Sequence, residues 1–371
     1  MGIYIHIPFC KQKCHYCDFH FSTSLKKKED LITCLLKEIE IQKSYLNEEI
    51  VETIYFGGGT PSFLDSGEIR RILDKVYAEF SIISTPEITL EGNPDDFTFQ
   101  KLQELKQAGI NRLSIGIQSF NDVDLTWMNR AHNSNQATKC VQDAQSLGFD
   151  NITIDLIYGL PEMTIEAWEI NLQKVLELDV QHISAYNLTV EPGTALHHLV
   201  KTGKSKPLND EVGAEQFEML INTLESNNFQ HYEISSFGKE GFFSKHNSSY
   251  WRRKFYLGIG PSAHSFNGNT RQWNVANNGK YIKAIKDGEV PFELEKLSKA
   301  DRYNEYVLLG LRTIWGCEFD YVKSEFGEEW LLNLKKQLFN YSDQMNIDEQ
   351  SFSLNQKGKA FADRIASELF V

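Results

Sequence analysis

Three cysteines, Cys10, Cys14 and Cys17, crowd into one short run near the start of the chain, FCKQKCHYCDFHF. Their spacing is C-x3-C-x2-C. Thiolates ligate zinc or iron–sulfur clusters, and crowding of this kind in a reducing compartment favours metal over a disulfide. A structural zinc ion takes four protein ligands. No second cysteine pair accompanies this one, so zinc would need a histidine such as His6, His15 or His20. Three thiolates on a four-iron cluster would instead leave one iron open to a ligand. The cysteines alone leave both readings standing. Cys34, Cys140 and Cys317 are isolated and read as small buried apolar residues.

The segments around the cysteines must position them. Gly2–Ile7 is rich in Ile and Tyr and reads as a strand ending at Pro8, which places Cys10 just past a strand end. Further β-like runs at 51–56, 87–91, 112–117, 151–158 and 182–188 alternate with helical periods at 26–46, 66–80, 97–108, 135–147 and 165–178. Gly109 and Gly148 close two of the helices. Repeated β-then-α units imply a parallel sheet, either doubly wound or an incomplete barrel. Gly57–Thr60, Glu91 and Gln118 also follow or end strands, and functional groups spread over many strand ends are the barrel pattern. Beyond Leu188 the reading is a helix at 210–224, a strand at 229–234, a mostly irregular stretch at 238–279, and a mostly helical last segment.

The chain has 371 residues, 38 basic and 51 acidic side chains, and a net charge of −13. That balance disfavours a general nucleic-acid binder. The start carries neither a basic n-region nor a long apolar h-region, so a cytoplasmic protein is expected.

C-x3-C-x2-C after a first strand, with Tyr16 before the last cysteine, resembles the radical S-adenosylmethionine (SAM) superfamily. The runs YIHIPFCKQKCHYCDF, YFGGGTPSFL, GIQSFND, NRAH and IDLIYGLPEMT together resemble the oxygen-independent coproporphyrinogen III oxidase family. The resemblance implies an α/β fold: a partial (β/α)6 barrel of radical SAM type over residues 1–235, an accessory region at 236–295, and a small, mostly helical, winged-helix-like domain at 296–371. It implies a [4Fe–4S] cluster on Cys10, Cys14 and Cys17, with SAM on the open iron. Gly58, Gly59 and Thr60 would then meet the SAM amino group, and Glu91 its ribose or amino group. Gln118, Arg130 and Asp155 would hold SAM by hydrogen bonds and charge, and Tyr4 would lie over cluster and sulfonium.

Two features depart from the oxidase. Its pattern continues to a fourth cysteine where this chain has Phe19, and this chain begins at the first strand, without the oxidase's N-terminal extension. Both are similar to the HemW group, haem chaperones related to the oxidase. The run HNSSYW at His246–Trp251 is similar to that group's HNxxYW signature, which implies haem as a further ligand and His246 as a candidate iron ligand. The resemblance also implies a membrane-bound respiratory protein as haem recipient and allows a homodimer. The oxidase activity itself is the alternative.

Overall fold

A computed structural model describes residues 1–46 and 49–371. Strands and helices alternate through the first half: β1 (Gly2–Ile7), α1 (Lys28–Ile41), β2 (Val51–Gly58), α2 (Ser66–Glu79), β3 (Ile82–Gly92) and α3 (Phe99–Ala108). There follow β4 (Arg112–Gln118), α4 (Asp122–Trp127), α5 (Ser134–Ser146), β5 (Ile152–Tyr158), α6 (Ile165–Glu177) and β6 (His182–Asn187). Local chemistry sets the helix ends. Asp65 with Glu68, and Asn133 with Gln136, form reciprocal capping boxes, and Gly109 stops α3 in the left-handed region at φ 107°.

β1 to β6 pair in sequence order, all parallel, as crossover helices require. Strand alternation divides the residues. Ile3, Ile5 and Ile7 are fully buried in one apolar core with the helices, which leaves Tyr4 and His6 on the inner face. The inner positions of neighbouring strands are polar: Thr53 and Tyr55 on β2, Thr89 and Glu91 on β3, Ser114 on β4, Thr153 and Asp155 on β5. The sheet therefore has an apolar outer face and a polar concave one. It stays open and does not close into a barrel, as expected for a partial one.

After α7 (Ala195–Lys201) and α8 (Asp210–Glu225), β7 (Gln230–Glu233) and β8 (Ser236–Gly238) extend the sheet beyond β6 in antiparallel sense. The stretch read as mostly irregular proves to be structured. It holds α9 (Lys245–Trp251), β9 (Tyr256–Ile259), β10 (His264–Phe266) and β11 (Thr270–Asn274), followed by α10 (Asn278–Asp287) and β12 (Phe292–Lys296). β9 pairs with β1 in parallel, so this region belongs to the same twelve-stranded sheet, in the order β12-β11-β10-β9-β1-β2-β3-β4-β5-β6-β8-β7. Short strands among Gly, Asn and Ser carry little periodicity. Their partner, β1, is remote in sequence.

The last segment contains α11 (Lys299–Leu311), β13 (Cys317–Glu318), α12 (Phe319–Phe326), α13 (Glu328–Leu338), β14 (Met345–Ile347), β15 (Ser351–Leu354), α14 (Gln356–Lys359) and α15 (Ala362–Glu368). It has its own apolar cluster, from Tyr303 to Leu369. It covers the β7 edge: Ile234 N donates to Arg312 O at 3.0 Å, and Ile314 N to Tyr232 O at 3.0 Å. Among the described residues, no helix is long and apolar enough to cross a membrane.

Candidate cofactor site

The cysteine loop leaves the C-terminal end of β1 and is stapled to three neighbours. Gly59 N donates to Ile7 O at 3.0 Å and Thr60 N to Phe9 O at 2.7 Å, which ties it to the loop after β2. His15 N donates to Met128 O at 3.1 Å, Gln12 Nε2 to Asn129 O at 2.7 Å, and Asn129 Nδ2 to Lys13 O at 2.7 Å, which ties it to the end of α4. Leu196 N on α7 donates to His15 O at 2.7 Å.

Two of the half-buried sulfurs meet hydrogen-bond donors. Thr60 Oγ1 donates to Cys10 Sγ at 3.4 Å and Arg130 Nη1 to Cys14 Sγ at 3.3 Å. Burial pushes the Cys10 thiol up to about 11 and raises that of Cys17. Among the described residues no three His, Cys, Asp or Glu side chains form a single-ion site. A cluster asks for a different arrangement, with thiols reaching separate irons from a loop held at its ends. Arg130 Nε is buried without a partner, which leaves a donor beside the sulfurs. The donor set and this spare donor fit a cluster that carries an anionic ligand.

The strand ends place the other residues around this loop. Gly58 has φ 107°, and a Cβ there would lie 2.5 Å from the His6 ring. At Gly59 a Cβ would come within 2.8 Å of the Ile7 and Phe9 backbone, so any side chain would push the cysteine loop away. Glu91 accepts from Tyr55 OH at 2.7 Å and Gly58 N at 3.2 Å, and burial raises its carboxyl. Asp155 accepts from Ser114 Oγ at 3.2 Å. Burial, then the Glu91 charge, push it to about 7. Gln118 sits at φ 70° where the β4–β5 register shifts, a strained conformation for a non-glycine residue at a strand end. Arg130 Nη2 donates to Gly116 O at 2.6 Å and also to Asn93 Oδ1. Tyr4 OH lies 3.1 Å from His6 Nδ1, and its ring is 6.1 Å from that of Tyr55.

The chain thus brings the cysteines, Gly58, Gly59, Thr60, Glu91, Gln118, Arg130 and Asp155 to one end of the sheet, with Tyr4 deeper on its inner face. His246 is elsewhere. It lies on α9, 1% exposed, at the opposite end. Its Nδ1 is 2.7 Å from Thr53 Oγ1, its Nε2 2.7 Å from Tyr250 OH, and its ring stacks on Tyr55 at 4.9 Å. Both nitrogens are engaged, and burial lowers its basicity to about 3. In this arrangement neither nitrogen is free to meet a haem iron. The residues after the motif are also committed: Arg253 Nη1 donates to Tyr321 OH at 2.9 Å and Lys254 Nζ to Glu52 at 2.7 Å.

Motif reading overlooked Tyr55, Asn93 and the fully buried Arg112, all part of this polar interior, and took His6 only as a zinc candidate. The signal was available. Polar residues at every second position of five consecutive strands mark an inner face that is not a packed core.

A radical SAM protein is the class these features define: an open parallel sheet with a three-thiol loop at the strand ends. Residues 4–175 match the family model of the Radical SAM superfamily. Along its whole length the chain matches the solved structure of coproporphyrinogen III oxidase (HemN) from Escherichia coli, with a TM-score of 0.86, 22% identity and 90% of that chain covered. That likeness establishes the fold. Sequence relatives narrow the assignment. "Heme chaperone HemW" of Bacillus subtilis is 34% identical over 88% of this chain and 86% of its own length, and the protein of that name from Lactococcus lactis is 33% identical over 95% and 94%. The chain belongs to the HemW family. Its radical SAM domain implies a [4Fe–4S] cluster and SAM, which replaces the zinc reading of the cysteines.

Proposed function

We propose that this protein is a haem chaperone that carries a [4Fe–4S] cluster on Cys10, Cys14 and Cys17 and binds SAM beside it. The observation that carries the reading is the near end-to-end similarity to relatives named haem chaperones. When bound, the cluster supplies one-electron chemistry at SAM. The chain's own residues do the holding. Backbone at Gly58 and Gly59, with Thr60, would meet the SAM amino group. Glu91, Gln118, Arg130 and Asp155 would hold its polar atoms, Arg130 being suited to the carboxylate through its spare Nε. Tyr4, on the inner face, would lie over the cluster and the sulfonium. Phe19, where the oxidase pattern has its fourth cysteine, is 67% exposed on the loop and offers no thiol there.

Haem titration of the cluster-loaded protein, read at the Soret band, tests the reading. Binding near one haem per chain is expected, and its absence rejects the chaperone function. In a parallel anaerobic assay with SAM and reductant, coproporphyrinogen III is expected to stay unchanged. Sustained decarboxylation would instead support the oxidase. On this reading the protein works in the cytoplasm, pairs as a homodimer when loaded, and delivers haem to a membrane-bound respiratory protein. Sedimentation of the loaded protein checks the pairing, and haem transfer to membranes checks the delivery.

A further inference from the structure

The sheet ends differently at its two sides. At β7 the chain supplies its own cover, through the backbone bonds of Ile234 and Ile314. β12 lies at the other end of the strand order and pairs on one side only, with β11. All five of its residues are exposed. Its outward N–H and C=O groups therefore meet no strand, and an extended segment could add there by backbone hydrogen bonds. Side chains directly opposite one another would then decide which segment is accepted.

Alternation sorts the five residues onto two faces. Phe292 and Leu294, 44% and 59% exposed, give one face an apolar surface, and Lys296 ends it. Glu293 and Glu295 stand on the other. The chain places no cation on these two acids. Arg271, in register with Glu295, forms its ion pair with Glu305. Trp273, in register with Glu293, stacks on His264 at 6.0 Å. Among the described residues neither Glu293 nor Glu295 forms an ion pair. Unpaired carboxylates on an open edge favour an incoming strand that carries cations in the matching positions.

We propose that β12 is a docking edge for another protein, which lays an extended segment of alternating basic and apolar residues beside it. Antiparallel pairing continues the order of β10, β11 and β12. Read in that direction, the matching segment runs acidic, basic, apolar, basic, apolar. Its acid meets Lys296, its two cations meet Glu295 and Glu293, and its apolar residues pack on Leu294 and Phe292. The edge is four strands from β1. The inference goes beyond the haem chaperone reading and does not rest on it.

The experiment titrates cluster-loaded protein into a fluorescein-labelled peptide, Glu-Lys-Val-Lys-Val with Gly-Ser flanks. Anisotropy reads the affinity and amide exchange locates the site. Binding is expected to be at least ~10-fold tighter than for the same residues in the order Lys-Lys-Val-Val-Glu, with exchange slowed at 292–296. Glu293→Lys combined with Glu295→Lys, two exposed positions, should weaken binding at least ~10-fold while circular dichroism and cluster absorbance stay unchanged. That variant should instead accept Glu-Glu-Val-Glu-Val, a gain that misfolding could not produce. Equal binding of the two residue orders, slowed exchange elsewhere than β12, or wild-type affinity in the variant would overturn the assignment. So would protection of 292–296 that rises with protein concentration alone, which would give the edge to a second copy of the chain.

Discussion

Cys10 shows what metal must do at this mouth. Burial raises its thiol to about 11, so ligation displaces a proton held more tightly than usual, and the Thr60 and Arg130 donors beside Cys10 and Cys14 favour sulfur that has lost one. Replacing any one of Cys10, Cys14 or Cys17 by Ala is expected to abolish the cluster absorbance near ~400 nm and the bound sulfide, since each thiolate holds a different iron. An intact cluster in Cys14→Ala would show that the ligand set is wrong. Asp155 carries a second prediction. Its folded carboxyl, near 7, lies above the ordinary aspartate value of 3.8. A raised acid binds more protons folded than unfolded, so its contribution to stability is full below about pH 4, falls as pH rises to about 7, and is flat above. The whole effect is at most roughly 4 kcal/mol. Urea titrations of the apo-protein across that range should show the decline, and Asp155→Asn should flatten it. A wild-type slope retained in the variant would assign the decline to another group, such as Glu91.

Helix α9 shows the same logic at the scale of an element. Seven residues cannot sustain a helix in water, so this one depends on what holds its ends. Glu87, buried on β3, accepts from Lys245 N at 3.1 Å and His246 N at 3.0 Å, while His246 reaches Thr53 on β2. The helix thereby closes the sheet's lower end and presses His246 against Tyr55, the donor to Glu91. Glu87→Ala leaves the buried His246 amide and the part-buried Lys245 amide without an acceptor and should cost about 1–3 kcal/mol, read as a lower thermal midpoint. Amide exchange over 245–251 should rise ahead of global unfolding. A variant with unchanged protection there would show that Glu87 does not hold α9. The elements differ in how plainly the sequence announces them. β1 to β6 were legible because each is a local apolar run followed by a helix of clear period. β9 to β11 were not, because their stability comes from β1 and from one another. HNSSYW could be read as a motif, but its burial could not: the residues that enclose His246 lie on β1, β2, β3 and its own helix. Gly58 and Gly59 were legible as a close-approach turn, whereas the Tyr55–Glu91 pair needed strand register that no single run supplies.

At the scale of the molecule, the sheet has two different edges. At β7 the C-terminal segment lends hydrogen bonds and covers the strand. At β12, Phe292–Lys296, all five residues are exposed, and the outer backbone faces solvent. An uncovered strand is a template for another chain, and Phe292 and Leu294 would make that addition adhesive. Glu293 and Glu295 share the opposite face. If a second copy added in antiparallel register about Leu294, it would set Glu293 against Glu295 twice over, and like charges directly opposed oppose pairing. Replacing both acids by Val should raise concentration-dependent light scattering, with secondary structure unchanged at low concentration. Equal scattering by the variant and the parent would rule out this protection. On this account the placing of two carboxylates along one strand guards the open edge, and raised salt, which screens them, should promote association at that edge before it unfolds the chain.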